Sequence, residues 1–180
     1  MKILIINGKP RTGKSTFCKS AIQKSGLVYQ YSTVDEIKKL AILLGWDGVK
    51  DEKGRKFLSD LKDATSAYND LPRQHILKQI KKYQELYKDE PLALKNMVFL
   101  IHSREPDDID KWRDEYGAKA ILIKGNLKLD NTEWNNHADD EVFDCIYDYI
   151  IDNTESLDEW KKTAAWFINE IRKEEWESHV

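Results

Sequence analysis

Residues 1–17, MKILIINGKPRTGKSTF, limit the fold more than any other stretch of the 180-residue chain. An apolar run at residues 3–6 is long enough for a buried parallel strand. It runs into Gly8-x-x-x-x-Gly13-Lys14-Ser15, and residues 14–24 then read as a helix. Phosphate binding needs these residue types in this order. Glycines allow the tight backbone that turns successive N–H groups inward on an anion. The helix N-terminus adds partial positive charge. The Lys14 ammonium has the reach for outer phosphates, and the Ser15 hydroxyl is a ligand type for Mg²⁺. Four fixed positions arise by chance in roughly one chain in a hundred of this length. The flanking strand and helix narrow that further.

Composition excludes several classes. Hydrophobic residues make up 41% and charged residues 34%, and the length fits one domain. A net charge of −3 and a pI near 5.9 argue against a broad nucleic-acid or anionic-membrane surface. No run approaches the ~18 apolar residues of a membrane span. The N-terminal apolar run is only a strand long, so no signal peptide is expected. Cys18 and Cys145 lack metal-ligand spacing and are expected to face the interior of a reduced, cytoplasmic protein.

Further along, Gly26 suits a helix stop and residues 27–31 a second strand. Thr33-x-x-Glu36 reads as a capping box for a helix with Ile37, Leu40, Ala41 and Leu44 on its apolar face. A polar, Gly-rich loop over residues 45–54 follows, and a helix is expected to resume at Arg55. Pro72 breaks that helix or starts the next, which Ile76, Ile80, Tyr83 and Tyr87 mark. Residues 33–90 are thus mostly helical between strands two and three, longer than a crossover needs, as a substrate-binding insertion would be. Residues 97–101 form strand three, Pro106 to Gly117 bound a helix, and residues 120–123 form strand four. Residues 124–140 are polar and irregular, a length that is usually functional. Strand five is expected at residues 147–151, then a helix opened by the box Ser156-x-x-Glu159. The charged tail, residues 173–180, is expected to fray.

This alternation implies an α/β fold, a P-loop three-layer sandwich whose five-stranded parallel sheet carries helices on both faces. Ligands bind beyond the C-terminal strand ends. The phosphate loop and residues 32–35, 102–105 and 124–139 all fall on that rim. Phosphoryl transfer asks mainly for positioning and positive charge. Arg11, Arg55, Lys62, Arg104, Lys124 and Lys128 are the cations in suitable places, each weighed against a plain surface charge. Arg104 stands out because it follows a central strand. Glu105 either orients Arg104, acts through Mg²⁺-bound water, or is a helix-start acid. His102 reads as a packed edge residue, and His75, His137 and His179 have no metal partners at ligand spacing. The loop tryptophans Trp46 and Trp134 are candidates to cover a base. Asp51-x-x-Gly54 does not follow a strand and no Asn-Lys-x-Asp is present, which excludes a GTPase.

Several blocks carry a family likeness: residues 8–16, Gly45-Trp46-Asp47-Gly48 running into residues 54–63, Arg104-Glu105-Pro106, Asn136-His137-x-Asp139, Tyr147-Asp148-Tyr149 and Asp152-Asn153. The chain resembles nucleoside monophosphate kinase-like proteins over nearly its whole length, and is similar to bacterial and phage proteins labelled deoxynucleoside monophosphate kinase or adenylate kinase-like. A more distant likeness is to animal-type phosphomevalonate kinases. The resemblance implies ATP and Mg²⁺ as cofactors. Gly8, Lys9, Arg11, Thr12, Gly13, Lys14, Ser15, Thr16 and Lys124 would hold the nucleotide, with Ser15 on the metal. Asp35, Arg55, Asp60, Lys62, Arg104 and Glu105 would bind the acceptor. Lys14, Arg104 and Arg55 would serve catalysis, and residues 124–139 would form a lid over ATP. Two departures stand out. Strand three lacks a terminal Asp of the Walker B kind, and the lid has lysines, Lys124 and Lys128, in place of arginines.

The sequence thus reads as one P-loop kinase domain over residues 1–180, cytoplasmic, monomeric or homodimeric, with no nucleic-acid or membrane partner. Its expected substrate is a (deoxy)nucleoside monophosphate. The alternatives are another phosphate monoester, phosphomevalonate-like, or a nucleotide-binding regulatory protein with weak catalysis.

Overall fold

Strand β1 (Lys2–Asn7) is buried at every position, as expected of an apolar run without alternation, which is satisfied only between two covered faces. The computed structural model describes residues 1–125, 142 and 145–180. In it β1 is the middle of a five-stranded sheet completed by β2 (Val28–Ser32), β3 (Val98–His102), β4 (Lys119–Lys124) and β5 (Tyr149–Asp152), in the order β2-β3-β1-β4-β5. The sheet is parallel, with Ile6 in register with His102 and Ile121, and Lys124 with Asp152. β5 starts two residues later than its apolar run suggests. Asp148 there closes on β4 through its own N–H to the Ala120 carbonyl (2.9 Å) and its carboxylate to the Ala120 N–H (2.8 Å).

The period of two sorts the strand side chains onto opposite faces. Leu4, Ile6, Val98, Leu100, Ile121 and Ile123 share one core with α1 (Lys14–Ser25) and the last helix, α7 (Leu157–Lys173). Phe17 of α1 sits 5.4 Å from the Trp160 ring and 5.9 Å from Phe167. α7 buries Trp160, Ala164, Phe167, Ile168 and Ile171 at helical spacing, and its Ser156–Glu159 capping box is formed in both directions. The alternate set, Ile3, Ile5, Phe99, Ile101, Ala120 and Leu122, is equally buried. α6 (Pro106–Tyr116) packs against β1 and β4 with Ile109 and Trp112 inward. Pro106 takes its first position, and Gly117 ends it at φ +62°. A short helix, α5 (Pro91–Asn96), precedes β3 where the sequence suggested none.

The chain divides into two compact units, residues 1–30 with 87–180, and residues 31–86. The second is helical: α2 (Asp35–Leu43), α3 (Glu52–Asn69) and α4 (Leu71–Leu86), with Ile37, Ala41, Ile76 and Ile80 fully buried. Three local expectations change here. The Thr33–Glu36 capping box does not form. The Asp35 carboxylate takes the Ser32 N–H (2.8 Å), while Glu36 pairs with Lys39 and His75. Leu44 lies beyond the helix and is exposed. α3 starts at Glu52 rather than Arg55, because Asp51 caps it by accepting the Gly54 N–H at 2.7 Å. The preceding loop folds over that first turn. Trp46 donates its indole N–H to the Val49 carbonyl (3.0 Å), and a Cβ on Gly54 would lie 2.2 Å from that carbonyl oxygen. Trp46 is therefore a pin for the 45–51 loop.

The C-terminal tail does not fray. Ser178 is buried, accepts the Ile3 N–H and donates to the Gly117 carbonyl, both at 3.0 Å. The Glu174 carboxylate accepts from Lys119 (2.8 Å) and from the Tyr149 hydroxyl (2.6 Å), and its carbonyl accepts from Lys2. Both lysines lie over the Trp176 ring. Burial pushes the Glu174 carboxyl up, but the bonds from Lys119 and Tyr149 outweigh it and hold it below its ordinary value.

Two outcomes follow. Ser178→Ala leaves the Ile3 N–H without its acceptor and should cost about 1–3 kcal/mol in urea unfolding. A depressed carboxyl contributes stability that is present above its unfolded value of 4.5 and lost as pH falls through the lower folded one. The stability gap between wild type and Glu174→Gln should therefore be widest above pH 4.5 and close on acidification, as measured by thermal melting against pH.

Candidate functional site

The chain leaves the C-terminal end of β1 through residues 8–13 and enters α1. Gly8 has φ +140° and Gly13 φ +95°. Each is also sterically enclosed. A Cβ on Gly8 would lie 2.3 Å from the Ile123 carbonyl oxygen, and one on Gly13 would lie 2.4 Å from Asn153 Nδ2. Only glycine meets both demands. Arg11 adopts φ +62° in the same loop, a conformation that costs a non-glycine residue roughly 1–2 kcal/mol. Gly13 caps α1 without a side-chain hydrogen bond, so no cap side chain occupies the N–H groups of the first turn.

The loop's carbonyls are taken by side chains. Lys14 Nζ donates to the carbonyls of Gly8 and Lys9, both at 2.5 Å, and the Thr12 hydroxyl also donates to the Lys9 carbonyl (3.0 Å). Asn153 Nδ2 donates to the Thr12 carbonyl (3.1 Å). The Trp160 indole donates to the Gly13 carbonyl (3.2 Å), which also accepts the Phe17 N–H. Fully buried Asn7 fixes the start of the loop. Its Oδ1 accepts the Gly8 N–H (2.8 Å), and its Nδ2 donates to the Tyr147 hydroxyl (2.8 Å) and the Arg104 carbonyl (3.3 Å). The Tyr147 hydroxyl donates to the Val142 carbonyl, and burial pushes its pKa upward.

Of the expected nucleotide-holding residues, Gly8, Lys9, Thr12, Gly13 and Lys14 come together in this loop with Arg11. Ser15 and Thr16 occupy the first turn of α1, Ser15 exposed. Lys124 ends β4, and its carbonyl accepts the Asn153 N–H (2.8 Å), which ties β4, β5 and the loop to one residue. Arg104 follows β3 with its carbonyl held by Asn7, and Glu105 is the N-cap residue of α6, where its side chain makes no capping hydrogen bond. Asp35, Arg55, Asp60 and Lys62 belong to the 31–86 unit. There Asp60 pairs with Lys56 on the exposed side of α3, Arg55 Nε donates to the Lys50 carbonyl (3.0 Å), and Lys62 is buried. The expected lid lies outside the described residues except for Lys124 and Gly125. Lys128, Trp134, Asn136, His137 and Asp139 go with it.

His102 closes β3 with Nε2 at 3.0 Å from the Gln30 amide nitrogen and 3.5 Å from Cys18 Sγ. Burial pushes the Cys18 thiol up to about 12, which keeps it protonated. Among the described residues no group of three or more His, Cys, Asp or Glu is placed to hold a metal ion. No helix among them is long and apolar enough to cross a membrane. The Ser15 hydroxyl beside a phosphate loop still fits Mg²⁺, which keeps several waters and leans on phosphate oxygens.

Sequence reasoning gave no role to Asn7 or Asn153 and missed the second role of Trp160. Beyond the family likeness at Asp152-Asn153, the signal was position, since Asn7 and Asn153 are polar residues directly at C-terminal strand ends. Trp160 reads as a core residue, and its indole N–H is invisible to a hydrophobic pattern.

No protein-family model matches the chain, and no curated protein matches it. Among solved structures it is similar to a sugar kinase from Janibacter sp. HTCC2649, with 9% identity over 94% of this chain and 95% of that one, TM-score 0.47. It is similar to dephospho-CoA kinase from Campylobacter jejuni, with 17% identity over 96% and 98%, TM-score 0.46. It is likewise similar to shikimate kinase from Aquifex aeolicus vf5, with 12% identity over 94% and 96%, TM-score 0.46.

Gly8→Ala forces a backbone clash as well as a strained φ, and should cost about 2–4 kcal/mol in urea unfolding. Gly26→Ala is the control. Gly26 has φ +57° with nothing within 4 Å of an added Cβ, so only the strain of roughly 1–2 kcal/mol should appear.

Proposed function

We propose that the chain is an ATP-dependent phosphotransferase acting on a small phosphate monoester, most specifically a kinase of (deoxy)nucleoside monophosphates. One observation carries this reading. A central buried strand passes through a loop whose two glycines are sterically required into a helix whose first turn has no side-chain cap. Lys14 stands at its first position.

In this reading the N–H groups from Gly13 into α1 receive the phosphate chain, and the helix end adds its partial charge. Lys14 exchanges the Gly8 and Lys9 carbonyls for phosphate oxygens, trading two dipoles for formal negative charge. Ser15 holds Mg²⁺, which when bound draws charge from the phosphates. Arg104, anchored through its carbonyl to the residue before Gly8, brings a second cation to the rim. Asp35, Arg55, Asp60 and Lys62 of the 31–86 unit are proposed to recognise the acceptor. Lys124, at the end of β4, adds a cation beside the loop.

A second reading is nucleotide binding with slow catalysis. It is favoured by His102 at the end of β3, where a carboxylate would assist the metal.

The deciding experiment is coupled detection of ADP release with ATP and Mg²⁺ against a panel of dNMPs, NMPs and phosphomevalonate. Turnover on a nucleoside monophosphate supports the first reading. Turnover on phosphomevalonate alone moves the acceptor, and ATP binding without turnover supports the second. Lys14→Ala should remain folded and lose ~10²–10³ in turnover, the scale of one lost transition-state donor. Full activity in that variant would exclude the assigned role of Lys14.

A further inference from the structure

We propose that Asn153 is a positioning residue that aims the Gly13 N–H at the bound phosphate chain, an inference that rests on the phosphate-loop reading above. The argument is one of peptide geometry. No peptide bond among the described residues is cis, so the Thr12–Gly13 peptide is planar and trans, with its carbonyl and N–H pointing in opposite directions. Asn153 Nδ2 holds the Thr12 carbonyl at 3.1 Å. Fixing that oxygen toward Asn153 directs the Gly13 N–H away from it, onto the opposite side of the loop.

The anchor is itself rigid. The Asn153 N–H donates to the Lys124 carbonyl at 2.8 Å, one step beyond the Lys124–Asp152 register of β4 and β5. The side chain therefore refers the loop to the sheet. Contact on the other side is close as well. Besides Asn153 Nδ2 at 2.4 Å, a Cβ on Gly13 would meet the Trp160 indole nitrogen at 2.9 Å, and one on Gly125 would meet Thr12 Cα at 3.0 Å. Thr12 and Gly13 thus have little room to rotate their shared peptide while Asn153 is in place. Without its amide the Thr12 carbonyl loses its donor, and the peptide is free to turn its N–H away from an anion.

The test reads the Gly13 amide directly. Thr–Gly occurs once in the chain, so ¹³C-carbonyl threonine combined with ¹⁵N-glycine marks Gly13 alone. The probe is magnesium tripolyphosphate, titrated into the full-length chain. In wild type the Gly13 resonance should shift on saturation. In Asn153→Ala that shift should fall by half or more, and tripolyphosphate affinity by ~5–10-fold, the scale of one hydrogen bond. Asn153→Asp keeps the shape but not the donor and should behave alike, which covers a failure of the alanine variant to fold. Arg172→Met is the structural control. Arg172 donates to the carbonyls of Ser25, Gly26 and Asn96 at the far end of α1, so its loss should lower the melting temperature and leave tripolyphosphate affinity unchanged. A folded Asn153 variant with wild-type affinity and a wild-type Gly13 shift would overturn the positioning role alone. Absence of binding by wild type would overturn the phosphate-loop reading with it.

Discussion

A loop that offers its N–H groups to an anion must find donors for its carbonyls, because each planar trans peptide points the two in opposite directions. This chain meets that demand with side chains drawn from its whole length. Lys14 and Thr12 supply donors from within the loop, and Asn153 and Trp160 supply them from beyond β4. Asn7 works in the reverse sense. Its Oδ1 occupies the Gly8 N–H and so removes that donor from any ligand. The N–H groups left for a phosphate chain are therefore those nearer Gly13 and the first turn of α1.

The same strand is held at both ends by contacts of long sequence separation. At its N-terminal end Lys2 and Ile3 are bonded to Glu174 and Ser178, and Met1 accepts the Ser178 N–H through its carbonyl. At its C-terminal end Asn7 binds Tyr147 and Arg104. Between them every residue is buried. A site built on such a strand is positioned by the sheet rather than by loop packing alone, which suits chemistry that depends on placement. The tail is thus part of the frame that carries the loop.

What could be read from the sequence was whatever depends on near neighbours. The buried runs of β1, β3 and β4, the α7 stripe and the box at Ser156 are all local patterns, and each forms. The box at Thr33 has the same pattern and fails, because Asp35 takes the Ser32 N–H and moves the helix start. The tail was misread for a different reason. Its charge content resembles a solvated end, but the partners of Glu174 and Ser178 are residues such as Lys119 and Ile3, which no local window includes. In the site, glycine spacing and Lys14 were legible. Asn153 was not, since its role arises only once β4 and β5 are in register. The two-turn spacing of Arg55 and Lys62 predicts a shared side of α3, yet Arg55 is exposed and Lys62 is buried. Spacing fixes direction on a helix and leaves environment open.

The end of β3 sets how the loop's charge must be balanced. His102 contacts Gln30 and a protonated Cys18, so that position carries no carboxylate. A carboxylate there would bind Mg²⁺ or its water. In the proposed reading Ser15 would be the protein ligand, and the ion would depend mainly on phosphate oxygens and water. Lys14 Nζ donates to the Gly8 and Lys9 carbonyls. In the proposed reading it would exchange them for phosphate oxygens, a favourable trade because an ionised acceptor makes the stronger bond. A β3 end without a carboxylate would anchor the metal more weakly. Binding of a phosphate chain would not need that anchor, whereas rapid transfer would need it offset by cations from elsewhere on the rim, and Arg104 has its backbone tied there.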